Sequence, residues 1–402
     1  MPASVGRAAR RGTGSEEDLL SGAAWKTMLR ALARAGVAVQ SESAPTGALD
    51  RAAGYKHLLG LLAVGIDEAL RYTDPYRPVL KPGSTDWVFK WGMDCPDALY
   101  LGAPVRGDAV YRVRGRRGTV RYLGLQVMAG IETAANVVAD ELALGADGTF
   151  ELIVSANERP GNWMPLRADA SSLVVRQFFY DWDAEEPARL EIECIERAKL
   201  ARGAPTPTAE GVARQLVALG EYVDASVTFW GDIHAALRAR GVNAFQEPSA
   251  RTDIGGAEEN VTVWGSWELG PDQALLIEVK PPEALYWSVA LGNHWWESLD
   301  YTNHQSSLNG HQAVIDPDGM LRAVIARSDP GIANWLDPAG FGGGPMIFRY
   351  VRADGAPVPA TRVVPVGELG DVLPSGTIRV DGGTRAEVIE RRRAAVRKRF
   401  PR

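Results

Sequence analysis

The stretch Glu141-Leu142-Ala143-Leu144-Gly145-Ala146-Asp147-Gly148-Thr149-Phe150-Glu151-Leu152-Ile153-Val154 sets a four-residue turn signal between two short apolar runs. Asp-Gly supplies the positive φ that a tight reversal needs, and the flanking residues favour extended backbone. The signal recurs along the chain. Gly115-Arg116-Arg117-Gly118 separates 110–114 from 119–127, Asp316-Pro317-Asp318-Gly319 separates Val314-Ile315 from 321–325, and Asp354-Gly355 follows. Runs of this kind read as hairpins in antiparallel sheets, not as alternating βαβ units. The 43 Gly and 25 Pro point the same way, since a helical bundle needs few turns. The expected fold is mainly β (α+β), with antiparallel β-sandwich or jelly-roll-like regions.

Outward from these turns the period changes. Ser15-Glu16-Glu17-Asp18 has the form of a capping box, and Trp25, Met28, Leu29, Leu32 and Ala35 follow at helical spacing, with Gly36 as a stop. Tyr55, Leu58, Leu62, Ile66, Ala69 and Leu70 mark a second helix that ends before Asp74-Pro75. Behind Pro205-Thr206-Pro207, Val212, Leu216 and Leu219 share a helical face, and 232–240 continues a helical insertion. The alternating run Leu190-Glu191-Ile192-Glu193-Cys194-Ile195 is a half-buried strand with Cys194 inside. Residues 384–402 hold eight Lys/Arg, and the stripe Ile389, Val396 and Phe400 suggests an amphipathic helix docked on an acidic body. The expected organisation is a helical N-terminal cap (1–80), a first β region (81–205), a helical insertion (206–250), a second β-sandwich region (251–370) and a basic C-terminal helix (371–402).

Composition removes several classes of function. The chain of 402 residues carries 44 Lys/Arg against 50 Asp/Glu, a formal charge of −6, which gives no general attraction to nucleic acid. Two cysteines, Cys95 and Cys194, rule out a disulfide scaffold and every multi-cysteine metal motif. No apolar h-region follows the N-terminal arginines, and the apolar stretch 58–66 is about half of a membrane span. A cytoplasmic location and no membrane span are expected. Association between copies is left open. Dinucleotide fingerprints, phosphate loops, the Gly-x-Ser-x-Gly elbow and His-Glu-x-x-His are absent.

Three of the five histidines fall within 294–311, a polar stretch that follows a strand at 284–291. Such a loop is a natural carrier of function. His294, Glu297, His304 and His311 are the candidate catalytic residues: a histidine beside a carboxylate can move a proton, and three histidines with Glu297 could hold a divalent metal with an open position. Trp295, Trp296, Tyr301 and Asn303 would line a pocket wall. Among the strand residues, alternation sets Arg176 in one row with Val174, Phe178, Tyr180 and Trp182. Its guanidinium must reach a carboxylate or anchor an acidic substrate group.

The blocks Pro281-Pro282-Glu283-Ala284-Leu285-Tyr286-Trp287-Ser288-Val289, Asn293 to Gln312, and Asp329-Pro330-Gly331 with Asn334-Trp335-Leu336-Asp337 resemble bacterial proteins of the domain-of-unknown-function 1214 family, whose neighbours are of the 1254 family. Asp97-Ala98-Leu99-Tyr100-Leu101 and Asn157-Glu158-Arg159-Pro160-Gly161-Asn162-Trp163 look typical of the same chains. The resemblance implies β-sandwich, jelly-roll-like domains and leaves the activity open. The expected function is an enzyme acting on a hydrophobic small molecule by acid–base or metal-assisted chemistry: hydrolysis, elimination or isomerisation. The alternative is a non-catalytic β-sandwich protein that binds a lipophilic ligand. A third reading, a scaffold working through its basic tail, requires that there be no cleft.

Overall fold

The computed structural model describes residues 14–71, 74–83, 90–197 and 207–400. Residues 1–13 of the expected N-terminal cap and the 205–206 boundary lie outside them. Strand (32 %) slightly exceeds helix (29 %), so the mainly β expectation with added helices holds. Four sheets make two sandwiches. In the first half, strands Ala98–Pro104, Ser172–Phe178, Tyr122–Ala129 and Glu132–Val138 lie side by side in that order. Opposite them lie Arg189–Arg197, Ala109–Arg116, Thr149–Ser155 and Trp163–Pro165. Leu123, Leu125, Leu173 and Val175 from one sheet meet Tyr111, Val113, Leu152 and Val154 from the other, and their burial holds the layers together.

The second half repeats this plan. Asn260–Glu268, Gly343–Ala353, Ala284–Leu291 and Ser307–Asn309 form one sheet. Ala360–Pro365, Gln273–Val279, Leu321–Ala326 and Trp335–Leu336 form the other. Counted in chain order, each half reads first-seventh-third-fourth over eighth-second-fifth-sixth, and in each the short sixth strand runs parallel to the fifth. This is jelly-roll connectivity, used twice.

The turn signals were right about where the chain reverses and wrong about what it joins. Ala109–Arg116 and Tyr122–Ala129 flank the 115–118 signal, yet they belong to opposite sheets. Asp354-Gly355 likewise leads from one sheet to the other. The Gly145–Gly148 turn closes on itself before the strand Thr149–Ser155, and 141–144 forms no strand. Only the Asp316–Gly319 reversal bonds its own flanks, through an Ile315–Leu321 bridge. Positive φ sets the turn; the apolar face of the next strand selects the sheet.

Helices cover one side. Ala23–Val39 and Ala48–Arg71 pack on the 32-residue helix Ala209–Arg240, which joins the two stretches expected near 212–219 and 232–240. Thr208 caps it by accepting from Gly211 N at 3.0 Å. The C-terminal helix Gly382–Arg399 packs against Tyr301, Ser307 and Ile332, with Val396 in the first core and Arg385, Arg392 and Arg399 buried. Spacing of seven puts these arginines in one stripe, so cations as well as Ile389, Val396 and Phe400 face the body. Arg385 meets one carboxylate, Asp329, as an acidic body would supply, while the bonds of Arg392 and Arg399 go to backbone carbonyls, the Ser307 hydroxyl and the Gln312 amide. Arg392 donates to Tyr301 O at 2.8 Å and Ser307 O at 3.2 Å, and Arg399 to Pro96 O at 2.6 Å.

Candidate functional site

Register makes the seam between the halves a crossed, two-fold arrangement. Ala98↔Phe178↔Tyr122 in the first half matches Asn260↔Val351↔Tyr286 in the second, and Tyr100↔Arg176↔Gly124 matches Thr262↔Arg349↔Ser288. Asp97 and Glu259, one residue before their first strands, are therefore equivalent. Tyr286 donates to Asp97 Oδ2 at 2.6 Å, and Tyr122 donates to Glu259 Oε1 at 2.5 Å, each across the seam. Asn309 adds a 2.8 Å bond to Asp97, and Asn136 a 2.7 Å bond to Glu259. Burial, with the carboxylate beside it, pushes each tyrosine pKa up, so both phenols stay neutral donors.

Arg176 and Arg349 complete the pattern. Arg349 Nη2 donates to Met93 O at 2.5 Å, and Arg176 Nη2 donates to Gly255 O. Met93 and Gly255 each lie four residues before the paired acid, and both have positive φ. The carboxylate partner expected for Arg176 is thus replaced by a backbone carbonyl, and the residue clamps one half to the other. Its position also separates it from the cleft described below. Signals for this seam exist in the sequence only as the isolated Asp97 and Glu259; nothing local announces that they pair with tyrosines over 130 residues away.

The 292–306 loop is what breaks the symmetry. Its counterpart in the first half is the turn at Gly130-Ile131. The longer loop fills the space under the helices, and most of its polar groups are consumed there. Glu297 lies 3.1 Å from His57 Nδ1 and accepts from Asn293 Nδ2 at 2.8 Å. Burial opposes its charge, but His57 and Asn293 hold its pKa below the usual carboxylate value. Trp295 Nε1 donates to Asp50 O at 2.8 Å. Trp296, with φ 58°, stacks on Trp230 at 4.9 Å, while its carbonyl accepts from Met93 N at 2.7 Å. His294 packs against His234 at 4.9 Å between ring centroids. Burial lowers the His294 pKa to about 4 and that of His234 to about 3, so both are neutral. Lys90 sits over the Tyr301 ring at 4.3 Å and donates to Ser298 O and Leu299 O.

The four candidate catalytic residues therefore do not converge. His294 faces His234, Glu297 faces His57, and His304 faces Asp337 at 2.7 Å, a bond that raises its pKa. Asn303 turns outward, bonded to Asp300 and Arg393. Among the described residues no group of three or more His, Cys, Asp or Glu side chains could hold a metal ion, so the metal-assisted reading finds no ligand set there. Cys194 packs partly buried against the first core, as its alternation indicated.

Of the four, His311 lines a cleft. A cavity of about 310 Å³ opens between the C-terminal helix, the segment after Asn309 and the turn at Asp181–Asp183. Leu308, Val314, Ile378, Val380 and Val388 give it an apolar floor, with His311, Gln312 and Arg391 among its polar lining. His311 Nε2 lies 3.7 Å from Asp181 Oδ2, whose Oδ1 is held by the Asp183 and Ala184 amides. Arg385 and Arg392 also line the cavity, but their guanidiniums are committed to the body. Asp181 and Arg391 carry no local motif, which is why sequence reading passed over them.

No family model matches the chain, and no curated protein matches it in sequence. Among solved structures, an uncharacterised protein from Burkholderia cenocepacia is 35 % identical, with a TM-score of 0.82 over 88 % of this chain and 100 % of its own. The chain belongs to the same family as that protein. A protein from Vibrio parahaemolyticus is 13 % identical over 77 % of this chain and 98 % of its own, at a TM-score of 0.46.

Proposed function

We propose that the protein binds a small organic acid with a hydrophobic body in the cleft beside the C-terminal helix. One observation carries the reading: an apolar floor is bordered by the exposed Arg391 and by His311 with Asp181 behind it. Apolar area takes the ligand body, and a few convergent polar groups fix its orientation. Arg391 supplies the charge for a carboxylate, and His311 a hydrogen bond. A second reading, acid–base catalysis on the same class of molecule, is favoured by the position of Asp181 behind His311. A carboxylate there stabilises an imidazolium formed during proton transfer. Membership of the 1214 family is likewise our inference, supported by the matched blocks: Asp97 and Asn309, from two of them, meet in the seam.

The test is a calorimetric titration with octanoate and benzoate on the wild type and on His311→Gln and Arg391→Gln. Binding in the wild type and a loss of about tenfold in each variant, with melting unchanged, is expected. Binding that survives both substitutions places the ligand elsewhere.

A further inference from the structure

The helical layer presents an apolar face to solvent. On the helix Ala48–Arg71, beyond its first turn, the exposed positions are Ala52, Tyr55, Lys56, Leu59, Ala63, Ile66 and Leu70, a single stripe over more than four turns. Leu59 is 67 % exposed and Leu70 75 %. Of the stripe expected from the sequence, Leu58 is buried and Leu62 packs beside it, with Leu61 added, whereas Tyr55, Ile66 and Leu70 face solvent. Its neighbour Ala23–Val39 adds Trp25 (53 % exposed) and Leu29, and beside them a basic row, Lys26, Arg30 and Arg34. That helix contains no acidic residue. A 2.6 Å bond from Gln40 Nε2 to Tyr55 Oη joins the two helices at one end of this face. Arg34 is paired with Asp224, and among the described residues no ion pair is formed by Lys26, Arg30 or Lys56.

We infer that this face docks the protein on an anionic bilayer surface, with Trp25, Leu29, Leu59, Ile66 and Leu70 entering the headgroup region and the basic row contacting lipid phosphates. Charge selects this occupant over a second copy. A two-fold contact between copies would set one basic, acid-free row against its twin, and like charges repel. A tryptophan and aliphatic side chains beside lysine and arginine are what an interfacial helix requires. No described helix is long and apolar enough to cross a membrane, so the helices lie on the surface.

Co-sedimentation tests this with the full chain and vesicles of either phosphatidylcholine alone or equal parts phosphatidylcholine and phosphatidylglycerol. The bound fraction should be about tenfold higher with the anionic vesicles and should fall as salt is added. The double variant Leu59→Glu/Ile66→Glu should lose binding with its melting temperature unchanged, because both side chains are exposed. Lys26→Glu/Arg30→Glu should reduce binding to the level of the neutral vesicles. Equal sedimentation with both vesicle types, or binding that survives both double variants, overturns the inference. So does sedimentation velocity showing a dimer that Leu59→Glu/Ile66→Glu dissolves while vesicles are ignored, since the occupant is then a second copy.

Discussion

His234 is buried, and His294 lies against it beside Trp295 and Trp296. Both pKa values are depressed, to about 3 and about 4, against an ordinary value near 6.5. The unfolded chain takes up protons below about pH 6.5 while the native state does not, so stability falls as the pH drops from there through about 4 and 3. Each histidine contributes a loss on the order of 3 kcal/mol across that window. Urea unfolding of His234→Leu at neutral and acidic pH should show a shallower acid limb than the wild type; equal slopes would mean that the ring is solvated. Glu297 gives the opposite kind of test. Glu297→Gln puts an amide in place of the carboxylate that faces the buried His57 and should cost about 1–3 kcal/mol in chemical denaturation. That outcome marks a structural residue, whereas a stable variant with altered ligand affinity would return Glu297 to a working site.

The C-terminal helix behaves as a strap fastened by cations. Arg392 donates to Tyr301 O and to both oxygens of Ser307, and its guanidinium lies 4.6 Å from the Trp182 ring centroid. Burial lowers its pKa to about 10, yet it stays charged at neutral pH. Arg392→Met keeps much of the apolar stem but leaves those acceptors unpaired, and should cost on the order of 3 kcal/mol, read as a lower denaturation midpoint at an unchanged m-value. Arg397→Met, on the exposed side of the same helix, should change stability by less than about 0.5 kcal/mol. A similar loss in both would mean that net charge, not docking, holds the helix. The heptad spacing of 385, 392 and 399 was visible in the chain. Arginine on a helix ordinarily faces water, so only the carbonyls of the facing loop turn this stripe inward.

Across the whole molecule, the crossed seam predicts matched energetics. Tyr122→Phe and Tyr286→Phe each remove one phenol from a carboxylate that keeps an asparagine partner. Each should cost about 1–3 kcal/mol, with the Tyr286 variant the larger because Asp97 is fully buried and Glu259 is not. Thermal unfolding should remain a single transition in both if the halves fold as one unit; two separated transitions would show that the seam is only a contact between independent domains.

Local chemistry in the chain was enough to establish the β character, the helical insertion, the N-terminal capping box at Ser15 and the inward face of Cys194. Each follows from period, propensity or a turn residue, and these act over a few positions. Pairings set by long-range geometry were not accessible in this way. Asp97 with Tyr286, Arg349 with Met93 and His57 with Glu297 are 189, 256 and 240 residues apart. The 294–311 stretch shows the difference most clearly. Its density of polar and aromatic groups marked it correctly as unusual, but the same groups serve a site or an internal network equally well. Tertiary structure decided between them by placing two helices above the loop. Their packing took up His294, Glu297 and Trp295 as partners and left His311, beyond the helices' reach, on the cleft beside Asp181.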